Sequence, residues 1–173
     1  MDTWSFAPRW QRVRVILTAE PGTTSPVVRE PGDLLAFFQT QLGGGVQESF
    51  WAASLDVHRQ VAAVWEVALG TLTQVTVDPA AVFRPALLLP TTGLIVGHNH
   101  PSGSVLPSTA DRTLTAHLAA VGRLLQIPLV DHLIVSETGH YSLAAAEPDV
   151  FEEAGTVPLS SCQEEGLWLP CAR

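Results

Sequence analysis

The sequence predicts an α/β domain built on a mixed, curved β-sheet with helices on either side. Three patterns carry that prediction. Two apolar runs, Ser49 to Leu55 and Gln60 to Ala68, are separated by Asp56, Val57, His58 and Arg59 and read as a strand hairpin. A short apolar strand over Gly93 to Gly97 precedes a segment from Ser108 to about Gln126, where Leu114, Leu118, Val121, Leu124 and Leu125 recur at helical spacing with one face turned inward. Leu129 to Val135 and Tyr141 to Leu143 then close the sheet around a turn at Glu137 to His140.

The remaining elements follow in chain order. Arg12 to Thr18 alternates polar and apolar residues, as a half-exposed strand does. Glu20 to Gly32 is dense in Pro, Gly, Ser and Thr and reads as a loop. Asp33 is expected to cap a short amphipathic helix through Leu34, Leu35, Phe37, Phe38 and Leu42, which Gly43, Gly44 and Gly45 end. A strand is expected around Thr73 to Val77. Asp78 and Pro79 then start a helix running to about Leu89, because an N-cap acceptor precedes a residue whose missing N–H costs nothing there. Beyond Ala146 the composition shifts to acid, Pro and Gly, which predicts a mobile tail. The expected organisation is therefore residues 1–45 leading in, a domain over 46–146, and a tail over 147–173.

Composition narrows the function. At 173 residues the chain can bury enough surface to fold without a disulfide or metal staple, so a metal here would be functional. Nine basic against seventeen acidic residues give a net charge of -8, and no basic stripe offsets that field, so a nucleic-acid partner is not expected. Hydrophobic residues make up 46% and charged ones 15%, apolar enough to suggest a partner surface or a homodimer. Met1 to Trp10 lacks the pattern of a secretory signal, and no apolar run is long enough to cross a bilayer, so the expected setting is the cytoplasm with no membrane partner. Cys162 and Cys171 match no common zinc or redox spacing and read first as free thiols, with a tail disulfide second.

The chemistry concentrates at the end of the Gly93 strand. In extended backbone, residues two apart point the same way, so His98 and His100 can offer both imidazoles to one cation while Asn99 faces elsewhere. Asp111, in the first turn of the helix that begins near Ser108, is the candidate third ligand. Three protein ligands leave a fourth position for water, the form of open zinc sites, in which the pKa of water falls to roughly 7. Glu48, at the start of an apolar strand, is the candidate general base.

The string His98-Asn99-His100-Pro101-Ser102-Gly103, followed by Pro107-Ser108 and Asp111, resembles the His-x-His, ten residues, Asp signature of JAMM (MPN-domain) metalloproteases, and most closely their RadC-like bacterial branch. The resemblance includes Gly70-Thr71-Leu72 and Asp131-His132-Leu133-Ile134-Val135 and covers roughly Glu48 to Leu143. It implies the MPN fold, of the JAB/cytidine-deaminase-like type, with His98, His100 and Asp111 as zinc ligands and Glu48 as the base that activates zinc-bound water against an amide carbonyl. It also implies that Ser108 helps to stabilise the oxyanion. In better-known members the bond cut is an amide or isopeptide, often one made by a ubiquitin-like protein, so a peptide or ubiquitin-like conjugate is the implied substrate. Two departures stand out. Val77-Asp78-Pro79-Ala80 replaces the usual His-Pro-Arg, which removes a basic residue or transfers its role to Arg84. The segment before Glu48 is too short for the helix-hairpin-helix-like region of full-length RadC proteins plus an opening strand, so a shortened paralogue is expected.

Each piece also has an ordinary reading. Ser108-Thr109-Ala110-Asp111 alone is a helix-capping pattern, and a lone His-x-His pair at a strand end is commonly just solvated. The joint spacing of five residues reverses both. Asp131-His132 reads either as a pair steadying a ligand or as an acid at a strand start beside a half-buried histidine. His58, His117 and His140 are expected at the surface. Two rivals to the hydrolase remain: a DNA-repair-associated protein acting on or binding DNA, which the charge opposes, and a non-catalytic MPN scaffold, which retention of every ligand type opposes.

Overall fold

A computed structural model describes residues 15–17, 27–42, 47–69 and 77–152. Its centre is a mixed six-stranded sheet made of β1 (Val15–Leu17), β2 (Ser49–Leu55), β3 (Val61–Leu69), β4 (Gly93–Asn99), β5 (Leu129–Val135) and β6 (His140–Ser142), in the spatial order β1-β3-β2-β4-β5-β6. Every neighbouring pair is antiparallel except β4 and β5, which run parallel. The helices are α1 (Leu35–Leu42), α2 (Pro79–Leu87), α3 (Thr109–Leu125), α4 (Leu143–Ala146) and α5 (Asp149–Glu152). A parallel pair needs a crossover, and α3 is that crossover. None of the helices is long and apolar enough to cross a membrane among the described residues.

Strand periodicity divides the apolar side chains between two cores, one on each face of the sheet. Phe50 and Ala52 of β2, Trp65 of β3 and Leu94 and Val96 of β4 pack with Val82 and Phe83 of α2 and Leu118 and Ala119 of α3. Trp51 and Ala53 of β2, Val64 of β3, Ile95 of β4 and Leu133 and Val135 of β5 pack with Phe38 and Leu42 of α1. Along β4 the alternation continues into Gly97 and His98. Gly97 takes the α1 face, where a Cβ would lie 3.0 Å from the Phe38 ring. His98 consequently takes the α3 face and stacks on Phe50, with ring centroids 5.8 Å apart at 15°.

The hairpin turn forms as expected, with the Asp56 carboxylate accepting from His58 N and Gln60 N, both at 2.8 Å, and Arg59 at φ 59°. Asp78 caps α2 through Ala80 N at 2.9 Å. That helix stops at Leu87, two residues short of the expected end, because Leu88 N and Leu89 N turn back to Pro85 O and Ala86 O in tighter i to i−3 bonds ahead of Pro90. Asp33 is not the N-cap of the first helix. A 3₁₀ turn over Pro31–Leu34 precedes α1, with Glu30 as N-cap, and the Asp33 carboxylate reaches back to accept from Arg29 N at 2.7 Å and Glu30 N at 3.2 Å. Of the strand expected over Thr73 to Val77, residues 73–76 lie outside the described residues, as do Gly43 to Gly45, and Val77 carries no strand.

The acidic segment after Ala146 is folded where it is described, contrary to the tail expected from residue 147. Glu147 forms a two-pronged pair with Arg112 of α3, at 2.6 and 2.8 Å, and accepts from the Tyr141 hydroxyl at 2.8 Å. Arg123 donates to Phe151 O, which holds α5 on α3. Leu143 leaves the β6 strand because the Ser142 hydroxyl accepts from Ala145 N and so starts α4.

Gly122 marks the closest approach of α3 to the chain that follows it. An added Cβ would sit 2.6 Å from Ile127 O, a backbone atom that cannot swing aside. Gly122→Ala should therefore destabilise the domain by about 1–3 kcal/mol despite its better helix propensity. Thermal unfolding of the variant at or above the native midpoint would contradict that close contact.

Candidate metal centre

Two elements meet at the centre. His98 is fixed by the β4 register and is almost wholly buried, while His100 lies just beyond the strand end and is partly exposed. The turn His100–Gly103, closed by Gly103 N to His100 O at 2.9 Å with Gly103 at φ 74°, folds the loop back so that Ser104 O accepts from His100 Nδ1 at 2.9 Å. With its proton on Nδ1, His100 has a lone pair on Nε2. Asp111 comes from the first turn of α3. Ser108 is the N-cap of that helix: its hydroxyl accepts from Asp111 N at 3.2 Å and donates to Asp111 Oδ2 at 2.6 Å, and Ser108 N donates to the same oxygen at 2.6 Å. The capping box and the carboxylate that faces the histidines are thus one structure, and the two readings of this sequence segment are compatible.

Three residues form a small triangle of ligand-type atoms, to which Asp111 turns both carboxylate oxygens. His98 Nε2 lies 2.9 Å from His100 Nε2 and 3.2 Å from Asp111 Oδ1, and His100 Nε2 lies 3.3 Å from Asp111 Oδ2. Ligands about 2.0–2.1 Å from a tetrahedral ion are separated by about 3.3 Å, so the three side chains fit a single zinc-sized cation. The trio of His98, His100 and Asp111 is compatible with a metal site. The Asp111 carboxylate beside it raises the His100 imidazole above its ordinary pKa, against the opposing effect of burial. Burial pushes the Asp111 carboxyl up, yet the adjacent imidazoles of His100 and His98, together with the hydrogen bond from Ser108, outweigh it and hold that group well below the usual carboxylate range.

A cleft of about 1020 Å³ opens over the triangle. All five residues singled out in the sequence, Glu48, His98, His100, Ser108 and Asp111, line it. Phe50, Val77, Leu106 and Leu114 give it apolar walls, and no arginine or lysine is among its described lining residues. Arg84 is exposed on α2 and does not line the cleft, so it does not replace the missing basic residue. His58 and His140 are at the surface as expected, whereas His117, also exposed, borders the cleft.

Three side chains outside the five candidate site residues hold this arrangement. Asn99 does face away from the metal-ligand triangle, but it is not idle: its carboxamide accepts from Ser49 N at 2.9 Å and donates to Gln47 O at 3.0 Å, clasping the backbone on both sides of Glu48. His132 is fully buried, with Nε2 2.7 Å from His98 Nδ1, and burial drives its pKa well below the ordinary value, so the ring is neutral. Thr115 contacts His132 from α3. Asp131 does not pair with His132 through its ring. Its carboxylate accepts from His132 N, Ala144 N and the Ser142 hydroxyl, which ties β5 to the start of α4. The signal for His132 was the Asp131-His132 pair at the start of an apolar strand, and nothing in the sequence pairs His132 with Thr115.

The family model of the RadC-like JAB domain matches residues 28–148. A UPF0758 protein of Burkholderia mallei is 38% identical over 128 residues, covering 74% of this chain and 46% of its own length. A UPF0758 protein of Gloeothece citriformis is 38% identical over 116 residues, 67% of this chain and 48% of its own, and one of Desulforudis audaxviator is 35% identical over 123 residues, 71% and 54%. The chain spans about half the length of the curated relatives it matches.

Proposed function

The chain belongs to the RadC-like JAB domain family, and from that premise we propose that it is a zinc-dependent hydrolase of the metallopeptidase or isopeptidase type. The observation that carries this reading is the triangle of two imidazole nitrogens and a carboxylate at the floor of a cleft that also holds a separate carboxylate, Glu48. His98, His100 and Asp111 would hold the ion. When bound, zinc supplies Lewis acidity that brings the pKa of water down to about 7.

The protein side chains account for the rest. Glu48, braced by Asn99 at the cleft wall, takes the proton from the attacking water and passes it to the leaving amine, so that one carboxylate serves first as base and then as acid. Ser108 has two duties. Its hydroxyl orients the Asp111 carboxylate, and by rotating toward the cleft it donates to the carbonyl oxygen as negative charge develops there. The apolar walls formed by Phe50, Leu106 and Leu114 suit a peptide segment or a ubiquitin-like conjugate. A polyanion fits poorly, since the cleft offers no described arginine or lysine and the chain carries a net charge of -8.

Metal removal tests this reading. The purified chain should contain about one zinc per protein molecule, as an open three-ligand site does. Cleavage of a responsive substrate from a panel of peptides and isopeptide-linked conjugates should stop on chelation and return with added zinc. Absence of bound zinc, in protein that also fails to take it up, sinks the hydrolase and favours a scaffold. A steep, salt-sensitive affinity for single- or double-stranded DNA would favour the DNA-associated alternative instead.

A further inference from the structure

The imidazole of His98 can carry its proton on either nitrogen, and only one choice leaves Nε2 open to a cation. The choice is dictated from the far side of the ring. His98 Nδ1 lies 2.7 Å from His132 Nε2, His132 Nδ1 lies 2.7 Å from the Thr115 hydroxyl, and that hydroxyl lies 2.6 Å from the carbonyl oxygen of Asp111. Along this chain each contact pairs one donor with one acceptor. A carbonyl oxygen can only accept, so the single Thr115 proton points to Asp111. Toward His132 the hydroxyl can then only accept, which puts a proton on His132 Nδ1. His132 has no exposed surface and is surrounded by Phe50 and His98, so a second proton on its ring would be a buried, unpaired charge. Its Nε2 therefore carries a lone pair and accepts from His98 Nδ1. What remains on His98 is an Nε2 lone pair facing His100 Nε2 and Asp111 Oδ1, a cluster of acceptors that a shared cation would satisfy.

We propose that the chain from the Asp111 carbonyl through Thr115 and His132 is a tautomer lock that keeps His98 in its ligating form. Thr115 and His132 are positioning residues in this scheme. The chain starts on the residue whose carboxylate forms the third corner of the triangle, so the first turn of α3 supplies a ligand and also prepares one on β4. Metal-bound histidines commonly depend on such a partner at the second ring nitrogen. Here that partner is another imidazole, which transmits polarity from a carbonyl about two side chains away. The proposal rests on the metal-centre reading above, but its proton positions can be measured without metal.

The test uses the whole chain with ¹⁵N-labelled histidine. Imidazole ¹⁵N spectra of the metal-free protein at alkaline pH should show His98 and His132 both protonated on Nδ1. A His98 proton on Nε2 overturns the lock. Thr115→Val keeps the side-chain shape and removes the hydroxyl, so the His132 proton gains a partner only by moving to Nε2, which in turn forces the His98 proton onto its own Nε2. Zinc affinity, read by competition with a chromogenic chelator, should fall about 10–100-fold in that variant. Thr115→Ser, which restores the hydroxyl, should bring it back. Wild-type zinc affinity in Thr115→Val, with its His98 spectrum unchanged, also overturns the proposal. The wild-type spectrum needs no variant and decides the proton positions even if Thr115→Val does not fold. A native chain that binds no zinc would end the metal reading, and the same spectrum would still decide the lock.

Discussion

Replacing Glu48 with Gln should leave zinc binding intact and lower turnover about 10²–10⁴-fold, the usual contribution of a positioned general base. The two side chains have nearly the same shape, and Glu48 is outside the triangle of donor atoms, so neither packing nor the cation's neighbours change. What disappears is a group able to take up a proton. The Asn99 clasp engages the backbone of Gln47 and Ser49 and survives the substitution, which keeps the altered side chain at the same place on the cleft wall. Zinc content and hydrolysis of the same substrate must be measured together. Hydrolysis at the native rate by a zinc-loaded variant removes Glu48 from the mechanism.

Asp111→Asn should abolish tight zinc binding while leaving α3 folded. Asn keeps an oxygen that can accept from Ser108 N, so the helix start is largely retained, and its own backbone carbonyl still meets Thr115. Only the negative charge among the three corners is lost. In the native chain, zinc at about a thousand times its dissociation constant should stabilise the fold by about 4 kcal/mol, read as an upward shift of the unfolding midpoint, and the variant should show no such shift. An equal shift in both proteins would mean that zinc binds elsewhere. Acid should weaken native zinc binding as well, because the ion competes with a proton on His100, whose pKa stands above its ordinary value. In the metal-free protein the linkage runs in the other direction. The raised His100 value means that its pairing with Asp111 stabilises the fold fully below the unfolded histidine pKa, and that this stabilisation fades as pH rises through the folded value. For Asp111, held well below the carboxylate range, the stabilisation is present above the unfolded carboxylate pKa and declines on strong acidification. Both effects should vanish from the pH profile of metal-free Asp111→Asn.

Much of the scaffold was legible because its causes are local. Apolar runs on either side of a polar turn marked β2 and β3, helical spacing marked α3, and Asp78-Pro79 marked the start of α2. Errors gathered where a partner other than the one the local pattern suggests decides. Asp33 looked like a cap, but the preceding backbone of Arg29 and Glu30 curls onto its carboxylate. The acidic run after Ala146 looked like a tail since its composition suits solvent, yet residues 147–152 are folded, with Arg112, thirty-five positions earlier, meeting Glu147.

The sequence by itself determined the side-chain types and the spacing that brings His98 and His100 to one strand end, with Ser108 and Asp111 in one helix turn, because those relations are set within a few residues by strand and helix geometry. Only the tertiary structure decided that the strand end and the helix start share a corner 3 Å wide, that Asn99 holds the flanks of Glu48, and that His132 and Thr115 govern the proton on His98. Those are contacts between separate elements, from 17 to 50 positions apart for the Thr115–His132 and Asn99–Ser49 pairs. Their distances depend on how β4, β5 and α3 pack, and packing is a property of all three elements at once.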